Sequence, residues 1–111
     1  MKAVNVYNAL YMNTTTKGQI RCIIFKEGNT WYGVALEFNI VEEGDSFSVV
    51  NYNLREAIRG YVESQRRIKG SRVSPLNQKP DKEYSGLWNK LTSNKPIPSP
   101  IQVKYYGFTR V

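Results

Sequence analysis

The apolar period of this chain changes at Gly44, and that change constrains what it can fold into more than any other feature. Before it, two β-rich runs, Gly18 to Phe25 and Thr30 to Phe38, flank Lys26-Glu27-Gly28-Asn29. Two such runs around a short Gly-containing loop predict a β-hairpin. Asn39 permits a bend, and Ile40, Val41 and Glu42 form a short third strand that ends at Glu43-Gly44-Asp45. After it, Phe47, Val50, Leu54, Ala57, Ile58, Tyr61 and Val62 recur at about 3.6 residues, the stripe of an amphipathic helix. Ser46 is its natural N-cap, Asp45 favours the positive end of the helix dipole, and Lys69-Gly70 marks the expected stop. One stripe of this kind covers one face of a sheet.

Ser71 to Pro80 reads as a surface loop, and Asp81 caps a short helix with Tyr84, Leu87, Trp88 and Leu91 on one side, an add-on to the main body. Pro96, Pro98 and Pro100 enforce an extended approach to a final strand, in which Ile101, Val103 and Tyr105 alternate with Gln102, Lys104 and Tyr106. The expectation is a single α+β domain. It comprises an N-terminal strand or arm over 1–17, a core over 18–69, a loop with a short helical insertion over 70–100 and a last strand over 101–108. The core is a three-stranded antiparallel meander with one main amphipathic helix packed on it.

A chain of 111 residues, 41% of them hydrophobic, has material for one modest core. Its apolar stretches fall far short of the roughly 20 residues of a membrane span, and the N-terminus lacks the apolar segment of a secretion signal, so a cytoplasmic protein is expected. A lone cysteine, Cys22, among Ile20, Ile23 and Ile24, reads as a small buried hydrophobe. Lys and Arg number 16 against 9 Asp and Glu, a net charge of +7, which attracts polyanions or an acidic protein surface.

The chain has no histidine, which removes the commonest general base and transition-metal ligand and excludes Ser-His and Cys-His nucleophiles. No phosphate-cradling glycine motif occurs. Among the carboxylates, Glu37, Glu42, Glu43 and Asp45 cluster in sequence, but Glu42 and Glu43 are neighbours on a strand and point to opposite faces. They read as a solvated strand end and helix cap. No catalytic residue, metal or cofactor is expected.

The basic series Arg55, Arg59, Arg66, Arg67, Lys69 and Arg72 runs along the outer side of the main helix and into the following loop. It suits phosphate contact, since arginines one or two turns apart present their forks along one edge. It equally suits an ion-paired surface, because Glu63 lies four residues from both Arg59 and Arg67. The aromatics Tyr84, Trp88, Tyr105 and Tyr106 fit core packing, the exception being whichever of Tyr105 and Tyr106 faces outward, where a base could stack.

Gly44-Asp45-Ser46-Phe47, followed by Asn53, Arg55-Glu56-Ala57-Ile58 and Tyr61-Val62-Glu63, resembles the strand-to-helix signature of the HicB antitoxin family. Trp31-Tyr32-Gly33-Val34-Ala35-Leu36-Glu37 is similar to that family's second strand, and Lys95-Pro96-Ile97-Pro98-Ser99-Pro100 to its proline-rich lead into the last strand. The likeness covers residues 18–68 and 95–106. It implies a degraded RNase H-like fold without nuclease activity, in a family whose members bind and neutralise HicA, a small toxin that cleaves messenger RNA. The expected partner of this chain is a protein, either a HicA-like toxin or a further copy in a homo-oligomer. Phe38-Asn39 stands where many members have Pro-Gly, the 71–94 insertion is unusual for them, and no DNA-binding tail is recognisable, so a stand-alone HicB-like protein is the expected form. A nucleic-acid-binding module using the basic helix face is the competing expectation.

Overall fold

The computed structural model describes residues 12–68, 70 and 72–111. Residues 1–11 of the expected strand or arm over 1–17, and Lys69, lie outside the described residues, and residues 12–17 form no strand. Four strands form one antiparallel sheet in the order β3-β2-β1-β4, with β1 at Gln19–Glu27, β2 at Thr30–Ala35, β3 at Ile40–Gly44 and β4 at Ile101–Arg110. Helix α1 spans Phe47–Arg67 and α2 spans Lys82–Thr92. The fold is α+β, with the main helix packed on the sheet.

The hairpin closes where Glu27 pairs with Thr30 around Gly28-Asn29. Gly28 alone of the two central residues has positive φ, at 65°, the pattern of a type II′ turn whose twist matches the strands. The run from Thr30 to Phe38 is not one strand. β2 stops at Ala35, and Leu36–Phe38 form a 3₁₀ turn that ends on Asn39 in the left-handed region at φ 52°. An Asn tolerates that conformation, which redirects the chain into β3.

The Ser46 side chain accepts the Val49 N–H at 3.2 Å and so caps α1. The helix ends at Arg67, with Ile68 as its extended C-cap, short of Lys69-Gly70. Val50, Leu54, Ile58 and Val62 are buried against Ile20, Cys22 and Ile24 on one face of β1. The close approach needs Gly33, where a Cβ would stand 2.7 Å from Val50 Cγ1.

The second helix is more than an add-on. Ile23 and Phe25 point to the other face of β1, and there Leu87 and Trp88 of α2 bury them together with Val34 and Leu36. The near-continuous apolar run Ile20–Phe25 has this physical cause: a strand covered on both faces carries apolar residues at successive positions. Asp81 caps α2 by accepting the Glu83 N–H at 2.9 Å.

The 72–80 segment is not wholly a surface loop, because Leu76 is fully buried in the α1-side core and the Pro75 carbonyl accepts the Tyr61 hydroxyl at 2.8 Å. In β4, Ile24 pairs with Tyr105 but Phe25 with Val103, so Lys104 is an extra residue. The irregularity flips the alternation. Ile101 and Val103 pack on the α2 side, Tyr105 packs on the α1 side, and Tyr106 and Phe108 return to the α2 side. Among the described residues no helix is long and apolar enough to cross a membrane.

Candidate functional site

Two surfaces meet at β4. On the α1 side, Arg55, Arg59 and Arg66 lie about one and two turns apart and border a groove of about 370 Å³ that is closed on the far side by Thr109, Arg110 and Val111. Ile58 and Val62 contribute its apolar lining. Three of the six residues singled out in the sequence therefore come together. Arg67 and Arg72 are exposed and take no part in the lining. Thr109 and Val111, in and just after the last strand, join the groove through tertiary structure alone and have no signal in the helix periodicity, whereas Arg110 borders it from a position whose alternation is that of Tyr106 and Phe108.

The three arginines differ in freedom. Arg55, expected on the exposed side, is half-buried and works as a tether: its Nη1 donates to Thr109 Oγ1 at 2.6 Å, its Nε donates to Asn51 Oδ1 at 3.1 Å, and its guanidinium lies 5.8 Å from the centre of the Tyr105 ring. Arg59 pairs with Glu56 and Arg66 with Glu63, each at 2.6 Å and each three residues apart. These partners replace the Glu63 pairing with Arg59 or Arg67 expected from four-residue spacing. Arg66 also donates to the Thr15 carbonyl. With 70% of its side chain exposed, Arg59 gains little from its ion pair and can exchange the carboxylate for another anion.

On the α2 side, Tyr106 and Phe108 stand two apart on one face of β4, 44% and 56% exposed. Both rings meet Trp88 edge-on, at 5.8 Å and 5.4 Å between centroids, while Trp88 itself is 7% exposed. The Arg21 guanidinium lies 5.8 Å from the Trp88 ring centre. Trp88 therefore packs in the core, as its spacing suggests, and holds the two outer rings in fixed positions. Of the pair Tyr105 and Tyr106, Tyr106 faces outward.

The carboxylates are dispersed. Glu37 accepts the Arg21 backbone N–H at 2.8 Å and its Nε at 2.6 Å, Glu42 and Glu43 alternate across β3, and Asp45 is exposed beside the α1 cap. Among the described residues no three His, Cys, Asp or Glu side chains gather where a metal ion could be held. Cys22 is 1% exposed, and burial pushes its thiol above the ordinary value, against the weaker pull of the Thr109 hydroxyl and the Arg55 charge. A neutral, enclosed thiol of this kind is a poor nucleophile.

Searches against protein-family models, curated proteins and solved structures return no match to this chain. Two surface features flank β4: an ordered aromatic strip on one side and an arginine-rimmed groove on the other.

Proposed function

We propose that this chain is a non-catalytic, HicB-like interaction protein that holds a protein partner against the aromatic strip of β4, the partner implied by the resemblance being a small HicA-like toxin. The observation that carries the reading is the pair Tyr106 and Phe108, two large rings exposed side by side and both seated on the buried Trp88. Rings fixed in this way lose little side-chain entropy on contact, which is what distinguishes an anchor from an incidental exposed hydrophobe. The dispersal of the carboxylates and the enclosure of Cys22 agree with a role in binding.

The test is retention of protein by the tagged chain from its native cytosol, before and after nuclease treatment, beside the variant Tyr106→Ser/Phe108→Ser. A stoichiometric small protein that survives nuclease and is lost from the double variant supports the reading. Equal retention by the variant overturns it.

A second reading, nucleic-acid binding, is favoured by one specific observation: Arg55, Arg59 and Arg66 border one groove between α1 and the end of β4. Phosphate contact there predicts binding of labelled single-stranded RNA that falls steeply with salt. Unchanged binding in Arg59→Glu/Arg66→Glu excludes it.

A further inference from the structure

The hydrogen-bond phase of the β1–β4 ladder reveals which backbone groups of β4 face the open edge. The Val111 N–H donates to the Gly18 carbonyl at 3.1 Å, and in an antiparallel ladder alternate pairs exchange such bonds. Thr109, Gly107 and Tyr105, opposite Ile20, Cys22 and Ile24, therefore turn their N–H and C=O groups toward β1. Tyr106, Phe108 and Arg110 turn theirs away. The phase of β1 agrees: Gln19 and Arg21, opposite Arg110 and Phe108, give their N–H groups to Asn13 Oδ1 and Glu37 Oε1, away from β4.

Among the described residues β4 is thus an edge strand whose outward backbone groups belong to the residues that carry the exposed rings. The opposite edge differs. β3 has 5 residues against 10 in β4, and carries Glu42 and Glu43. Short length and charge protect β3 from further pairing, whereas β4 is long and contains no proline.

We propose that two copies of this chain join by antiparallel pairing of their β4 strands about a twofold axis at Phe108, which continues one sheet into the other. Charge selects the register. Lys104 and Arg110 are the charged residues of β4. An axis at Gly107 sets Lys104 directly against Arg110 of the second copy, a destabilising like-charge pair. An axis at Tyr106 draws the extra residue Lys104 into the paired segment. An axis at Phe108 places Phe108 on Phe108 and Arg110 on Tyr106, an aromatic pair flanked by two cation–ring pairs, with outward backbone groups meeting outward backbone groups. Pairing β4 with β3 of another copy matches opposite charges but is heterologous, a head-to-tail contact that leaves a β3 and a β4 edge open in a simple pair of copies.

This inference rests on reading β4 as an interaction strand. It leaves the faces of Tyr106 and Phe108 open, since strand pairing covers the edge, and it doubles the aromatic strip by placing the two copies of it side by side. A strand pair alone covers less than the roughly 800 Å² per partner of a standard interface, so association is weak and concentration-dependent.

The test is the mass of the purified full chain by light scattering and sedimentation from low to high micromolar concentration, combined with cysteine pairs. The mass should rise from one chain to two. Phe108→Cys should form a disulfide-linked dimer on mild oxidation, because opposed hydrogen-bonded residues have Cα atoms about 5.5 Å apart, inside the disulfide range. Tyr106→Cys alone should not cross-link, whereas a mixture of Tyr106→Cys and Arg110→Cys should. Cys22, buried, is silent in the wild-type control. The mixed pair reads the same register without altering Phe108, should Phe108→Cys fold poorly. A single-chain mass throughout, cross-links in another register, or growth beyond two copies would overturn the proposal. A monomer that still retains a protein through Tyr106 and Phe108 removes the dimer and leaves the proposed function standing. A dimer that retains no protein has the opposite meaning.

Discussion

Glu37 receives both the backbone N–H and the Nε of Arg21, at 2.8 Å and 2.6 Å, and so replaces the strand that β1 lacks beyond the reach of β2. β2 pairs with β1 only as far as Cys22, so the Arg21 N–H would otherwise face a gap. The same contact holds the guanidinium near the ring of Trp88. Glu37→Ala leaves a half-buried donor and a half-buried cation without their acceptor, and an expected loss of about 1–3 kcal/mol follows, read as a lower urea midpoint at unchanged slope. Glu37→Gln keeps an acceptor for the backbone and should recover part of the loss. An unchanged midpoint in Glu37→Ala would show that water replaces the carboxylate at no cost.

Local patterning made the hairpin, the Ser46 cap and the stripe Val50, Leu54, Ile58 and Val62 legible, because each depends on residues near one another in sequence. Leu76 was hidden because the polar residues and prolines around it carry the signature of a loop, and only the gap beside Tyr61 explains its burial. Asn13 was hidden for a similar reason. Buried to 2% exposure, it donates to the Leu76 carbonyl and accepts the Gln19 N–H, joining two segments far apart in sequence. The candidate site was half visible. The helix spacing places Arg55, Arg59 and Arg66 on one side, but the contributions of Thr109 and Val111, and the outward turn of Tyr106 and Phe108, depend on the irregularity at Lys104, which alternation alone does not show.

Gly33 permits α1 to lie close on β2. An added Cβ would meet Val50 Cγ1 at 2.7 Å and Leu54 Cδ2 at 3.2 Å, so the helix must move outward or the two side chains must leave their rotamers. Gly33→Ala is expected to destabilise by about 1–3 kcal/mol, an overpacking cost. Adding Val50→Ala should restore part of it, by removing the methyl group in the way. A double-mutant cycle checks this, and simple additivity of the two losses would count against the steric account.

The raised thiol of Cys22 makes stability depend on alkaline pH. In the unfolded chain the thiol ionises through its ordinary range, whereas burial keeps it neutral in the fold to higher pH. Its contribution is therefore fully present below the ordinary thiol range and declines as pH rises through and above it. The urea midpoint under reducing conditions should fall between neutral pH and about pH 10, and Cys22→Ala should flatten the first part of that fall. Tyr84, also raised, chiefly by burial, acts in the same direction but only from the ordinary tyrosine range upward, so the two contributions separate in pH. A thiol reagent should react with Cys22 only at the rate of unfolding.

Arg55 and Arg59 sit one turn apart on the same groove but should answer mutation differently. Arg55 ties α1 to β4 through Thr109 and lies against Tyr105, so Thr109→Val removes its acceptor while conserving shape. A loss of about 1–2 kcal/mol is expected, as for a partly buried hydrogen bond to a charged group. Arg55→Lys should not hold the tether, because Arg55 reaches Asn51 and Thr109 with two separate nitrogens of one rigid guanidinium, whereas a lysine has only one nitrogen to place between them. Arg59→Ala should stay within about 0.5 kcal/mol of the wild type, as expected of an exposed surface position. This contrast decides how the groove is to be tested. Charge reversal at Arg59 and Arg66 changes the field seen by a polyanion while the fold stays intact, whereas any change at Arg55 combines a binding effect with loosening of β4. If nucleic-acid binding falls in Arg59→Glu/Arg66→Glu at unchanged melting temperature, the groove contacts phosphate. If it falls only in Arg55 variants, and in step with their stability, the groove is the seam that joins helix to sheet.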